Sequence, residues 1–246
     1  MLHKRERSQR DRIVFNGHDL SQYLMCRVHR PVMAPTKPTF EHISGRQGEI
    51  FESTYRDGYD LPVEAVLRSE WRREVSEARH RLAEMLWTDE PAPLYLPDDP
   101  TLYLMAIVSG DTDLGEITDK CPEVTITFHI GDPDYYGQRR SMTIGSGGTR
   151  VLNAGGSRPT RATVTAKPGK CTSWTIANVD TGEYVQLSGT FTTTTTIVLD
   201  MELEHATIDG STAAIAINSD YFDLDGITHL TISSGTAEIE WVERWL

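Results

Sequence analysis

The sequence predicts a mainly β protein with one helix, divided into two domains. The chain has 246 residues, of which 38% are hydrophobic, so it can bury a substantial core and exceeds the usual length of a single domain. Only one segment repeats apolar residues at helical spacing, whereas many short segments read as strands bounded by Gly, Pro and Asp. Glycine-rich turns between residues 131 and 156 separate the two halves, and we place the boundary near Gly137.

Composition narrows the functional classes. The net charge of −12 argues against nucleic acid as the main ligand. Apolar runs are too short for a transmembrane helix, and residues 1–12 lack the apolar region of a secretory signal. Three widely spaced cysteines indicate folding in a reducing compartment, which predicts synthesis in a cytoplasm; they are Cys26, Cys121 and Cys171.

The first half predicts one helix on antiparallel strands. Residues 12–15 form a strand that enters a tight turn at Asn16-Gly17, and residues 102–108 and 124–130 form two more strands. Ser69 is a suitable N-cap for the helix. The apolar positions of that helix lie three and four residues apart at Trp71, Val75, Ala78, Leu82, Met85 and Leu86. Residues 61–67 fit either a helical extension or a strand that leads into the helix.

The second half predicts strands throughout. Candidate strands, separated by Gly and Asp turns, cover residues 173–179, 184–187, 191–203, 213–217, 229–233 and 237–241. The threonine run at 192–196 favours extended backbone, since branched side chains suit a pleated surface. Short strands with turn signals between them predict a β-sandwich.

No group of residues predicts catalysis, a metal or a cofactor. The loop Gly145-Ser146-Gly147-Gly148-Thr149-Arg150 lacks the Gly-Lys-Ser/Thr ending of a phosphate loop. Acidic residues at 200, 202 and 204 fit a solvated strand face, and those at 220, 223 and 225 fit an acidic loop between strands. His80 and Glu84 share a helix face but provide too few ligands for a metal. We therefore expect a protein that is not an enzyme.

The order of several motifs resembles the distal tail protein (Dit) family of long-tailed, siphovirus-type bacteriophages. The N-terminal part contributes Phe15-Asn16-Gly17 and Gly45-Arg46-Gln47-Gly48. The central part contributes a helix that ends near Trp87, the turn Pro97-Asp98-Asp99-Pro100, and Gly131-Asp132-Pro133-Asp134-Tyr135-Tyr136-Gly137. The C-terminal part contributes Val151-Leu152-Asn153-Ala154-Gly155 and the final stretch from Glu238 to Leu246.

This resemblance implies a structural virion protein of the tail tip. Residues 1–137 would form a β-sandwich-like domain with the helix and a hairpin extension, and six copies would close into a ring. Residues 138–246 would form a galectin-like β-sandwich. The ring would join the tail tube to the tail-tip or baseplate proteins, with the tape measure protein as a further candidate partner, and would let DNA pass. Neither sequence-specific nucleic-acid binding nor membrane insertion is implied.

Two surfaces are candidates for binding. A closed ring requires head-to-tail contacts between two different surfaces, and Tyr and Arg are favoured at interface centres. We therefore expect the segment from 45 to 59 to contribute Arg46, Tyr55, Arg56 and Tyr59 to the ring interface. The alternative function is a carbohydrate-binding protein that contacts the host envelope through aromatics of the C-terminal sandwich, for which Trp174 and Tyr184 are candidates. A cell-wall hydrolase is a weaker third hypothesis, because no catalytic group supports it.

Overall fold

A computed structural model describes residues 12–67, 72–112 and 122–246, and the side chains of Arg72 and Arg73 are not included. Ser69, Trp71 and Cys121, which the sequence analysis singled out, lie outside these residues. The fold is mainly β, as predicted. The chain divides into two compact units, one ending at Tyr135 and the other beginning at Tyr136. We call them the N-terminal and C-terminal units. No helix among the described residues has the length and apolar character needed to cross a bilayer.

The N-terminal unit is built on an antiparallel ladder that runs in the order β2-β1-β7-β8-β9-β6-β3. A separate two-stranded sheet consists of β4 and β5. A single turn of 3-10 helix, Leu20–Gln22, follows β2. The other elements are β1 (Val14–Phe15), β2 (His18–Asp19), β3 (Leu24–Val28), β4 (Thr36–Glu41), β5 (Ile50–Arg56), β6 (Tyr59–Leu67), α1 (Arg72–Leu86), β7 (Ala92–Leu96), β8 (Asp99–Ser109) and β9 (Glu123–Ile130).

Local sequence explains the first hairpin of this unit. Asn16 and Gly17 both have positive φ, 47° and 76°, which is the backbone of the tight turn that Asn-Gly favours between antiparallel strands. The predicted turn is therefore confirmed. Phe15 then points inward and packs against Phe128, with ring centroids 5.1 Å apart.

The alternative for residues 61–67 is resolved in favour of a strand. Leu61, Val63, Ala65 and Leu67 are buried, while the residues that alternate with them are exposed or only partly buried, which is strand periodicity. β6 contains a proline although it pairs on both sides. Pro62 lies beyond the end of β3, whose last partner is Val63, so the ladder with β3 does not depend on the missing N–H.

Helix α1 packs its predicted apolar stripe onto the unit. Val75, Ala78 and Leu82 are buried, and Met85 and Leu86 pack at the margin of the same core. Glu74 lies in the first turn, where a carboxylate interacts favourably with the helix dipole. The described part of the predicted stripe is therefore confirmed as a core-facing surface.

The C-terminal unit is a β-sandwich of two antiparallel sheets. One sheet has the order β17-β16-β15-β12-β19-β10, and the other has the order β11-β18-β13-β14. Inward side chains from both sheets form one core around Trp174, Ile176, Leu199 and Ile239. The strands are β10 (Tyr135–Gly145), β11 (Arg150–Asn153), β12 (Thr163–Lys167), β13 (Cys171–Asn178), β14 (Tyr184–Phe191), β15 (Ile197–Asp200), β16 (His205–Ile208), β17 (Ser211–Thr212), β18 (Ile227–Ile232) and β19 (Thr236–Trp245).

Two strand predictions in this unit are wrong. Residues 191–203 do not form one strand, because turns interrupt it at 192–196 and after Asp200. The Thr195 hydroxyl accepts a hydrogen bond from Thr192 N at 3.0 Å, and the Asp200 carboxylate accepts one from Leu203 N at 2.9 Å. Such local bonds compete with sheet pairing. Consequently, the acids at 200, 202 and 204 do not share a strand face. Residues 213–217 are irregular as well.

Candidate functional site

The most unusual surface of the N-terminal unit is a hairpin that we call the arm, residues 36–56. Among the described residues, its strands β4 and β5 pair only with each other, and almost every arm residue is exposed. The exposed residues include large apolar ones, since Phe40, Phe51 and Tyr55 are between 50% and 57% exposed. Phe40 and Phe51 meet edge to face, with ring centroids 5.8 Å apart. Ile43, 43% exposed, lies at the tip.

Physical chemistry indicates that such an arm requires a partner. An isolated two-stranded hairpin is marginally stable in water, and it gains stability only when one face packs against something else. Exposed clusters of apolar side chains usually mark interaction sites. The arm tip also carries Arg46, which is exposed between Gly45 and Gly48, two residues with the positive φ that a tight turn requires. The arm is therefore the best candidate for an assembly surface.

The base of the arm is fixed to its own unit by ion pairs. Arg56, the last residue of β5, pairs with Asp134, whose side chain is only 6% exposed. Lys37 pairs with Asp57, and this side-chain hydrogen bond holds the pKa of Asp57 below its ordinary value. Asp57 N donates to Pro35 O at 2.9 Å, which closes the hairpin at its root.

A glycine and a tyrosine complete the base. A Cβ on Gly58 would lie 2.7 Å from the Ile130 carbonyl oxygen, so only glycine allows this close approach between backbones. Tyr59 is half-buried against the core, and burial raises its pKa above the ordinary value. Next to Tyr59, the Arg30 guanidinium lies 4.7 Å from the ring centroid of Tyr135 and donates to Asp98 at 3.0 Å.

The four predicted interface residues therefore occupy two different places. Arg46 and Tyr55 lie on the exposed arm, where a partner can reach them. Arg56 and Tyr59 lie at its base, where Arg56 is neutralised by Asp134 and Tyr59 packs inward, so we assign them to positioning the arm. The prediction missed Phe40 and Phe51, although their places on either side of the Gly45 and Gly48 turn were a readable signal.

The burial of Trp174 contradicts the prediction that this side chain contacts carbohydrate. Trp174 is 0% exposed, and its Nε1 donates to Ser234 O at 3.0 Å inside the sandwich, so a sugar ring cannot stack on it. Tyr184 is half-buried, and its hydroxyl accepts a hydrogen bond from Asn218 Nδ2. The two predicted residues therefore do not form a shared aromatic platform.

A cleft of about 460 Å³ opens in the C-terminal unit. It is lined by several acids that already have partners within this unit. Arg161 binds Asp223 at 2.7 Å and Glu204 at 3.0 Å. Asp180 accepts the His229 backbone N–H at 2.7 Å, and this bond holds the pKa of Asp180 below its ordinary value. Within the described residues, no group of three His, Cys, Asp or Glu side chains could hold a metal.

Comparison with protein families gives two matches that together span most of the chain. Residues 15–130 match the phage tail protein RIFT-related domain, and residues 155–245 match the siphovirus-type tail component, C-terminal domain. The chain belongs to the siphovirus distal tail protein family. It is therefore a tail component, which associates with other tail proteins in the virion. No protein of curated function matches it by sequence.

Solved structures of this family and of phage baseplates share the fold. The Dit protein of phage SPP1, described as a paradigm of the hub adsorption apparatus in phages that infect Gram-positive bacteria, superposes with a TM-score of 0.81 at 17% identity. That match covers 96% of this chain and 99% of the SPP1 protein. Baseplate structures of phage P2 in the activated conformation with Ca and with Sr each give a TM-score of 0.55 at 10% identity, covering 94% of this chain and 97% of theirs.

The motifs that resemble the distal tail family have structural roles in the C-terminal unit too. Trp241 Nε1 donates to Ala154 O at 2.8 Å, which ties β19 to the segment after β11. Glu243, almost fully buried, accepts from Arg140 at 2.5 Å. Gly155, at φ 71°, leaves room for Glu243, since a Cβ there would lie 2.5 Å from its carboxylate. These motifs therefore preserve packing within the C-terminal unit.

Proposed function

We propose that this distal tail family member is the hub of the tail tip. Six copies associate head to tail into a ring that joins the tail tube to the tail-tip or baseplate proteins, and DNA passes through its channel. The observation that carries this proposal is the arm. It presents apolar side chains that the described residues of its own chain leave exposed, on a base that the Arg56–Asp134 ion pair attaches to the N-terminal unit.

The two units have different roles in this proposal. We assign ring formation to the N-terminal domain, residues 1–137, because it carries the arm. The C-terminal domain, residues 138–246, is in this proposal a galectin-like sandwich that contacts neighbouring tail proteins. The tail tube, the tail-associated protein of the tip and the tape measure protein are the proposed partners. We propose no catalytic role, since the family is structural.

Light scattering of the purified full chain, with negative-stain imaging of the same sample, tests the ring. We expect a mass close to six chains and annular particles. The double variant Phe51→Ser/Tyr55→Ser should remain folded and lose the ring, because it removes exposed apolar contacts and no core residue. A matched control, Val179→Ser/Leu203→Ser, removes comparably exposed side chains from the C-terminal unit and should keep the ring. A chain that stays monomeric up to its solubility limit would contradict the proposal.

A further inference from the structure

A second exposed apolar surface lies where helix α1 ends, and we call it the helix-end groove. It is a cleft of about 440 Å³ lined by Ala83, Leu86, Trp87, Thr88, Ile107, Val108, Gly110 and Thr112. Trp87 is 76% exposed, which is far more than a structural tryptophan usually shows. Tryptophan is also the residue most enriched among the energetically dominant positions of interfaces.

The surroundings of the groove are acidic. Between residues 82 and 112 the sequence contains no Lys or Arg. Glu84 lies in the last turn of α1 and pairs with Arg81 at 3.2 Å, whereas Asp89 and Glu90 follow the helix and Asp111 follows β8, so carboxylates lie on both segments that line the groove. All four are exposed. A ligand for this groove should therefore combine an apolar side chain with a positive charge.

The arm tip has that combination. Residues 42–48 include Ile43 and Arg46 and contain no acid. Arg46 N donates to Ile43 O at 3.1 Å, which closes the turn with both residues at the tip. Ile43 and Trp87 are both exposed in the single chain, so they do not cover each other. Within one chain the tip therefore does not fill the groove, which leaves the groove to the arm of another copy.

We propose that the helix-end groove receives the arm tip of a neighbouring copy, with Ile43 packed on Trp87 and the Arg46 guanidinium facing the acidic rim. This inference rests on the proposed head-to-tail ring and names its second surface. A heterologous contact requires two different patches on one chain, and the arm and the groove supply a complementary pair.

Truncation and charge exchange test the contact through self-association. Trp87→Ser should weaken association by about tenfold or more. Leu203→Ser, which removes an equally exposed side chain from the C-terminal unit, should leave it unchanged. Arg46→Glu and Asp89→Arg should each weaken association, and the double variant should recover most of the loss, because the two reversed charges again attract.

Photo-crosslinking locates the contact directly. Full-length chain with p-benzoylphenylalanine in place of Ile43 is mixed with isotope-labelled chain, and the cross-linked peptides are identified by mass spectrometry. We expect links between different copies, to the peptide that contains Trp87. Rings whose links fall elsewhere would overturn the groove and leave the ring intact. An absence of self-association in the wild-type chain would overturn both. Unchanged rings in Trp87→Ser, together with weakened binding of another tail protein, would assign the groove to that protein and overturn this inference.

Discussion

At the scale of residues, the pair of Arg56 and Asp134 shows how one ion pair can determine where a larger element lies. Both side chains are largely buried, at 16% and 6% exposure, and they join the end of β5 to the turn before β10. Asp134 N also donates to the Asp132 carboxylate at 3.1 Å, which holds that turn in shape. The motif Asp132-Pro133-Asp134 therefore provides the site on the N-terminal unit to which the arm is attached.

Loss of one partner of the Arg56–Asp134 pair should lower the unfolding free energy of the N-terminal unit. Asp134→Ala leaves a buried guanidinium without its charge partner, and we expect the N-terminal unit to lose about 3–5 kcal/mol of unfolding free energy. Asp98→Ala is the matched control, since Asp98 is 64% exposed in its pair with Arg30 and should cost less than about 1 kcal/mol. Urea unfolding followed by circular dichroism measures both. Equal losses in the two variants would contradict the role of Asp134.

At the scale of elements, the arm is separate from the core that its own unit builds. The buried hydrophobic residues of the N-terminal unit lie at 13–24, 61–67, 75–82, 92–106 and 124–130, and none lies within 36–56. Deletion of the arm therefore leaves every residue of this core in place.

Deletion of the arm should separate stability from assembly. With residues 38–54 replaced by a short Gly-Asn-Gly turn, Lys37, Arg56 and Asp57 still close the root. We expect the thermal midpoint of the variant to stay within about 4 °C of the wild type, because the core is unchanged. Self-association should disappear. A variant that unfolds would show that the arm supports its own unit, and calorimetry beside light scattering distinguishes the two cases.

The sequence predicted elements wherever local and tertiary preferences agree. The Asn16-Gly17 turn and the stripe of Val75, Ala78 and Leu82 were readable, because backbone preference and burial point the same way. The threonine run at 192–196 was misread, since hydroxyl bonds to nearby backbone outweighed its extended preference. Of the candidate site, the segment from 45 to 59 was predicted from its Tyr and Arg residues, and its role in the ring interface stays a prediction. The burial of Arg56 depends on Asp134, which is far away in sequence, and no local pattern contains that information.

At the scale of the whole molecule, the described residues form two separate hydrophobic cores. One core consists of residues between 13 and 130, and the other of residues between 144 and 241. The two family matches fall within the same two parts of the chain. Each part therefore has a hydrophobic core of its own, as an independent cooperative unit requires.

Expression of the two parts tests that independence. We expect residues 136–246 alone to fold and to melt cooperatively, with tryptophan fluorescence shifted to the blue because Trp174 and Trp241 are buried. Leu187→Ala, which opens a cavity in this core, should lower its stability by about 2–5 kcal/mol and serves as the control for a genuine packed state. A fragment that melts without cooperativity would show that the C-terminal unit needs the rest of the chain.

The rigid root of the arm has a geometric consequence for any head-to-tail assembly. In a head-to-tail assembly every contact applies the same rotation, and the angle of the arm helps to set it. An error in that angle is repeated at every contact, and copies that fail to return to the starting point form an open helix. Gly58, which permits the close backbone approach to Ile130, and the Arg56–Asp134 pair together limit that angular error. Substitutions at these positions should therefore change the shape of the particles before they abolish association, with spirals or filaments in place of closed rings.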